Sequence, residues 1–264
     1  MHASSSLAEF MSKLEQGPQG VEDACVAVDR CASESSPILD LQQMMLTDED
    51  LNVVASKFQT VAEHVTTLNL FMNEITVLPA SIAQLSNLQV LKAGCNPLKE
   101  LQSGLLEGLS KLRELDIGFS DTLEDLPDSF HACHSLKTLH AGNGLLKSIP
   151  LSVFRCENLE ELHVYGNSIK EISNEIGCLR SLRVLSIGRN QISTLPDSIS
   201  DCGALEVLHA YENCLATLPQ GLSKLNNLKT LNVDFNADLP IPPRSVFSVA
   251  NVKATAAFHA NGTS

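Results

Sequence analysis

The 264-residue sequence predicts an α/β solenoid: a curved parallel β-sheet on the concave face, closed at its N-terminal end by helices. Three observations predict it. One apolar pattern occurs eight times, at intervals of 23, 24, 24, 23, 23, 23 and 23 residues. The hydrophobic content of 44% is mostly Leu, Ile and Val, with no Trp and two Tyr, which suits an interior of identical stacked layers. Ahead of the first repeat, apolar residues recur at helical spacing.

The repeat reads L-x-x-L-x-L-x-x-N-x-L-x-x-L-P-x-x-I. It starts at Val65 and returns at Leu88, Leu112, Leu136, Leu159, Leu182, Leu205 and Leu228, so eight units cover residues 61–243. A degenerate capping unit with Leu39, Leu41, Met44 and Leu46 occupies residues 38–60. This pattern resembles the leucine-rich repeat, and the predicted fold is a leucine-rich repeat solenoid. Each L-x-x-L-x-L stretch is expected to be a short strand ~4.8 Å from the next, with positions 1, 4 and 6 turned inward. No unit can bury its apolar face alone, so the array folds as a stack. At position 9, Asn73, Asn96, Asn167, Asn190, Asn213 and Asn236 are expected to satisfy backbone groups where the chain leaves the strand. Ser120 and Gly144 interrupt that ladder, and the third unit gains a residue around Ser120–Thr122, so a local bulge is expected there. Pro79, Pro127, Pro150, Pro196 and Pro219 open the convex return segments. Cys133, Cys156 and Cys202 stand where other units have Leu, and read as small core residues.

Both ends of an open stack need covering. Leu7, Phe10, Met11 and Leu14 predict one amphipathic helix, and Val21, Ala24, Cys25 and Val28 a second, with Ser33–Pro37 as a linker. Residues 1–37 thus form a helical arm or cap. Thr47 with Asp50 resembles a capping box for a helix carrying Leu51, Val54, Ala55 and Phe58. Residues 244–264 are a C-terminal cap and tail, with Val246, Phe247, Val249 and Val252 laid over the last strand, and Asn261 in a glycosylation sequon. Residues 1–60 hold 10 acids and 3 bases, against 21 and 15 in residues 61–264, so the arm is the more acidic part.

Charge and motif content exclude several functions. A net charge of −13 disfavours nucleic-acid binding, which depends on Lys and Arg releasing counterions. It also disfavours anionic membrane surfaces, and no apolar run approaches the ~20 residues of a membrane span. The opening residues carry no secretory or transit pattern, so a cytoplasmic setting with reduced thiols is expected. No P-loop, nucleophile elbow or zincin motif occurs, so no enzyme activity and no cofactor are expected.

Function is then expected on the concave sheet, where positions 3, 5, 7 and 8 of each unit point outward. Both tyrosines, three histidines and three phenylalanines fall there. The candidate protein-binding residues are Phe71, Phe119, His140, His163, Tyr165, Arg189, His209, Tyr211, Glu212 and Phe235, since exposed aromatic and Arg side chains make binding hot spots. His140 and His163 lie on neighbouring strands at a spacing that two zinc ligands can use. A third ligand is not evident, because Ser186 separates them from His209, and no metal is assigned.

The unit Leu182-Arg-Val-Leu-Ser-Ile-Gly-Arg-Asn-Gln-Ile-Ser-Thr-Leu-Pro-Asp-Ser-Ile resembles the 23-residue class of the Ras suppressor proteins. It is also similar to the plant intracellular Ras-group-related leucine-rich repeat proteins. That resemblance implies a cytoplasmic signalling adaptor binding a small GTPase, a phosphatase subunit or an adhesion complex. The C-terminal segment after Pro242-Pro243 departs from the longer helical closure usual in that class. The expected function is a non-enzymatic scaffold binding a protein partner on the concave face. The alternative is an accessory subunit of a stable complex that uses the N-terminal arm and caps.

Overall fold

A computed structural model describes residues 20–239. The predicted Leu7–Leu14 helix, the closing segment at 246–252 and the Asn261 sequon lie outside those residues.

The concave face is one parallel sheet of nine three-residue strands in sequence order. They are β1 Ile38–Asp40, β2 Thr67–Asn69, β3 Val90–Lys92, β4 Glu114–Asp116, β5 Thr138–His140, β6 Glu161–His163, β7 Val184–Ser186, β8 Val207–His209 and β9 Thr230–Asn232. The degenerate unit supplies β1, so the sheet has one strand more than the eight regular units. The register never slips. Leu39, Leu68, Leu91, Leu115, Leu139, Leu162, Leu185, Leu208 and Leu231 align across all nine strands, each within 1% of full burial. Period-2 alternation then turns the flanking residues of every strand to the concave surface. A one-residue slip would bury those polar groups and expose the Leu column, which is what holds the register.

The asparagine ladder forms as expected. Asn190, for example, accepts from the Ile169 amide at 3.0 Å and donates to the carbonyls of Val164, Ile187 and Gly188 at 3.0, 3.0 and 3.2 Å. The chain reaches this arrangement by a left-handed residue immediately before position 9 of each unit, including the two units where Ser120 and Gly144 replace the asparagine. Met72, Cys95, Phe119, Asn143, Arg189, Glu212 and Phe235 all have φ between 50 and 58°, and Gly166 takes the same place at 67°. A non-glycine residue there costs about 1–2 kcal/mol. The buried asparagine bonds next to it hold the strained turn in place.

The ladder is interrupted where predicted. Ser120 reaches only the Ile117 carbonyl through its hydroxyl, at 2.9 Å, and pairs with Gly144 in an isolated bridge. In the same unit the Thr122 hydroxyl donates to the Leu98 carbonyl at 2.7 Å.

The convex side returns through short 3₁₀ turns. Pro79, Pro150, Pro196 and Pro219 stand immediately before four of them, at Ala80–Gln84, Leu151–Arg155, Asp197–Asp201 and Gln220–Lys224. The fixed proline φ suits that entry. Cys133, Cys156 and Cys202 are buried, and each thiol points at a backbone carbonyl of the preceding unit: Leu106, Phe130 and Ile176. Burial pushes all three up to about 12, so they act as packing residues.

At the N-terminal end, α1 (Gly20–Glu34) buries Ala24, Ala27, Val28 and Cys31 in the same core as the repeats. The helix runs past the predicted start of the linker: Ser33 and Glu34 are helical, and the Ser33 hydroxyl donates to the Arg30 carbonyl at 2.9 Å. The second helix, α2 (Asp48–Ala55), carries the Thr47/Asp50 capping box. It is shorter than the spacing predicts, because Phe58 sits fully buried in a separate 3₁₀ turn, Phe58–Thr60. Asp48 locks α2 to the first regular unit, accepting from the Thr76 and Val77 amides at 2.7 and 3.0 Å. Among the described residues no helix is long and apolar enough to cross a membrane.

Candidate functional site

The concave surface of units four to seven gathers the groups that carry chemistry. Position 5 of the aligned strands places Asp116, His140, His163, Ser186 and His209 side by side. The imidazoles of His140 and His163 stack face to face, with centroids 4.2 Å apart and planes within 4°. Glu161, two residues before His163 on β6, shares its face and brings Oε2 to 3.2 Å from His163 Nε2. Burial lowers the His163 pKa most. The Glu161 hydrogen bond opposes that shift, and the neighbouring His140 reinforces it.

His209 meets Tyr211 edge to face at 6.5 Å, and its Nδ1 is buried with no hydrogen-bond partner among the described residues. Burial lowers the pKa of this histidine too. Its protonation would therefore oppose folding. An unfolded His takes up a proton near pH 6.5 while the folded one resists until lower pH, so stability falls as pH drops below about 6.5. The urea midpoint is expected to fall between pH 7.5 and 5.5, and His209→Gln should shrink that fall. An unchanged fall in the variant would acquit His209.

Both tyrosines are braced by a glycine one strand back. A Cβ built on Gly142 would lie 2.8 Å from the Tyr165 ring, and one on Gly188 2.5 Å from the Tyr211 ring. Each ring therefore packs over bare backbone and is half-buried. Arg189 and Glu212, both exposed, pair with each other at 3.1 Å, so a partner that recruits Arg189 must displace or engage Glu212.

The ten predicted residues do not all converge. His140, His163, Tyr165, Arg189, His209, Tyr211 and Glu212 form one continuous strip. Phe71 lies half-buried at the N-terminal side, Phe119 is exposed on the turn after β4, and Phe235 is 80% exposed beyond β9. Three outward-facing residues beyond the ten candidates shape this surface: Glu161, Gly142 and Gly188. Glu161 was readable from its i, i+2 relation to His163. The glycine platforms were readable from a Gly at position 7 one unit before each Tyr.

A model of the leucine-rich repeat family matches residues 134–192 and 180–237, the part that carries this strip. The chain has the leucine-rich repeat fold. A leucine-rich repeat protein of Leptospira interrogans is similar at 28% identity with a TM-score of 0.68, over 78% of this chain and 55% of its own. The plant peptide hormone receptor RGFR1, solved in complex with RGF2, is 26% identical with a TM-score of 0.58, over 67% of this chain and 29% of its own. The leucine-rich repeat domain of the type III effector XopL shares the fold at 19% identity and a TM-score of 0.70, over 89% of this chain and 83% of its own. The repeat protein thus spans about half the Leptospira relative. No curated protein sequence matches it. These likenesses reach the repeat class and do not single out the Ras suppressor proteins within it.

Proposed function

We propose that this repeat protein is a non-enzymatic interaction module that docks a protein partner on the concave face of units four to seven. The observation that carries this reading is the pair of tyrosines packed on Gly142 and Gly188. A ring already packed before binding loses little entropy on binding, and offers broad amphipathic contact area. The RGFR1 complex supports it as an example of a related repeat array holding a ligand. The concave side chains include Glu114, Asp116, Glu161, Glu212 and Asp234 against Lys92 and Arg189, which favours a basic partner surface. The resemblance to the Ras suppressor class supports a cytoplasmic adaptor whose partner is a small GTPase or a phosphatase.

The test is to identify the partner by cross-linking in the native setting and to measure its affinity for two proteins. The double variant Tyr165→Ala with Tyr211→Ala should bind more weakly by about 2 kcal/mol or more, roughly thirtyfold, with its unfolding midpoint close to wild type. Equal affinity would move the site off this face and favour an accessory subunit held through the acidic N-terminal arm.

A further inference from the structure

Among the described residues, one group of three metal-ligating side chains has its donor atoms within 4.8 Å of one another: His140, Glu161 and His163. We propose that these residues form a binding site for one divalent transition-metal ion of the zinc class. The inference stands apart from the docking reading, because it concerns the isolated chain.

The fold supplies the arrangement. Parallel register sets His140 directly opposite His163, and strand alternation puts Glu161 on the same face as His163. The 3.2 Å contact between Glu161 Oε2 and His163 Nε2 already aims carboxylate and ring at one point. Two nitrogens on a tetrahedral ion, each about 2.0–2.1 Å from it, lie about 3.3 Å apart. Glu161 and His163 already stand at 3.2 Å, and the His140 donor, within 4.8 Å of both, must move closer as its ring turns. The stacked rings present parallel lone pairs, so each must turn about its χ2. That torsion is broad for histidine and turns cheaply.

The ligand set selects the ion. Two imidazoles and one carboxylate suit zinc, copper, nickel or cobalt, whereas calcium and magnesium favour shells of oxygen. Asp116, on the far side of His140, is turned away to accept from the Gly118 amide at 3.1 Å. The face is open to solvent, so a fourth position would be filled by water or by a group from a partner.

The test uses the full chain, reduced and metal-free, titrated with Zn2+ by calorimetry and with Co2+ by absorption. Wild type should bind one ion per chain, and Co2+ should show ligand-field bands without a thiolate charge-transfer band. His140→Gln and His163→Gln should each abolish binding, and Glu161→Gln should weaken it by about tenfold or more. His131→Gln, on an exposed convex turn, should bind as wild type does. Thermal unfolding without metal should coincide for all variants, and added Zn2+ should raise it only where the three ligands are intact. The proposal is overturned by no binding in the micromolar range, by binding that survives His140→Gln with His163→Gln, or by a thiolate band. Tyr165→Ala with Tyr211→Ala should keep the ion, so failure of either reading leaves the other standing.

Discussion

Leu185→Ala is expected to lower the unfolding free energy by about 2–5 kcal/mol, the range for deleting a buried leucine and leaving a cavity. Leu185 is fully buried at the centre of β7, aligned between Leu162 and Leu208. Three-residue strands leave little room for relaxation, because a shift of β7 would disturb parallel bonds on both sides. The damage should also be local. In a linear stack each unit contacts only its neighbours, so hydrogen exchange should rise in units five to seven before it rises near α1. Chemical denaturation with a loss below about 1 kcal/mol would remove Leu185 from the continuous core.

Asn190→Ala is expected to cost about 2–4 kcal/mol without removing any apolar packing. Its side chain is buried and fully used: one amide donates to it and three carbonyls receive from it. Truncation strands these backbone groups away from water, and a buried unpaired group costs about 1–3 kcal/mol. The left-handed turn at Arg189 would also lose its brace. Asn190→Ser should recover part of the loss, since Ser120 holds the same position in the third unit with a single bond to the Ile117 carbonyl. Equilibrium denaturation of the three proteins ranks them. An alanine variant as stable as wild type would mean that water replaces the ladder at no cost.

These two residues show why so much of the fold was legible. Leu185 and Asn190 each belong to a column that returns every 23 or 24 residues, and a repeated local instruction needs no long-range information to be read. The capping box at Thr47 was legible for a similar reason, since it lies within four residues of chain. The linker was less so. Ser33 lacks a helix-stopping neighbour, and α1 continues through it because its inner face packs on the core as far as Cys31. Phe58 follows helical spacing from Leu51, yet the chain leaves α2 at Ala55 and delivers that ring by a separate turn.

The candidate site was legible in its location and less so in its contacts. Positions 3, 5, 7 and 8 had to face the concave side once the Leu column faced inward, so His140, His163, Tyr165 and Tyr211 were placed by alternation alone. The sequence by itself thus determined the repeat, the register and the identity of the outward strip, because each depends on a period set within one unit. Only the tertiary structure decided which outward groups touch: the His140–His163 stack, Glu161 on His163, and each tyrosine lying over the glycine of the strand before it. Those contacts join residues about 23 positions apart, or depend on which rotamer a neighbour leaves room for. Side-chain volume at one unit sets side-chain direction at the next, and that coupling exists only once the strands are stacked.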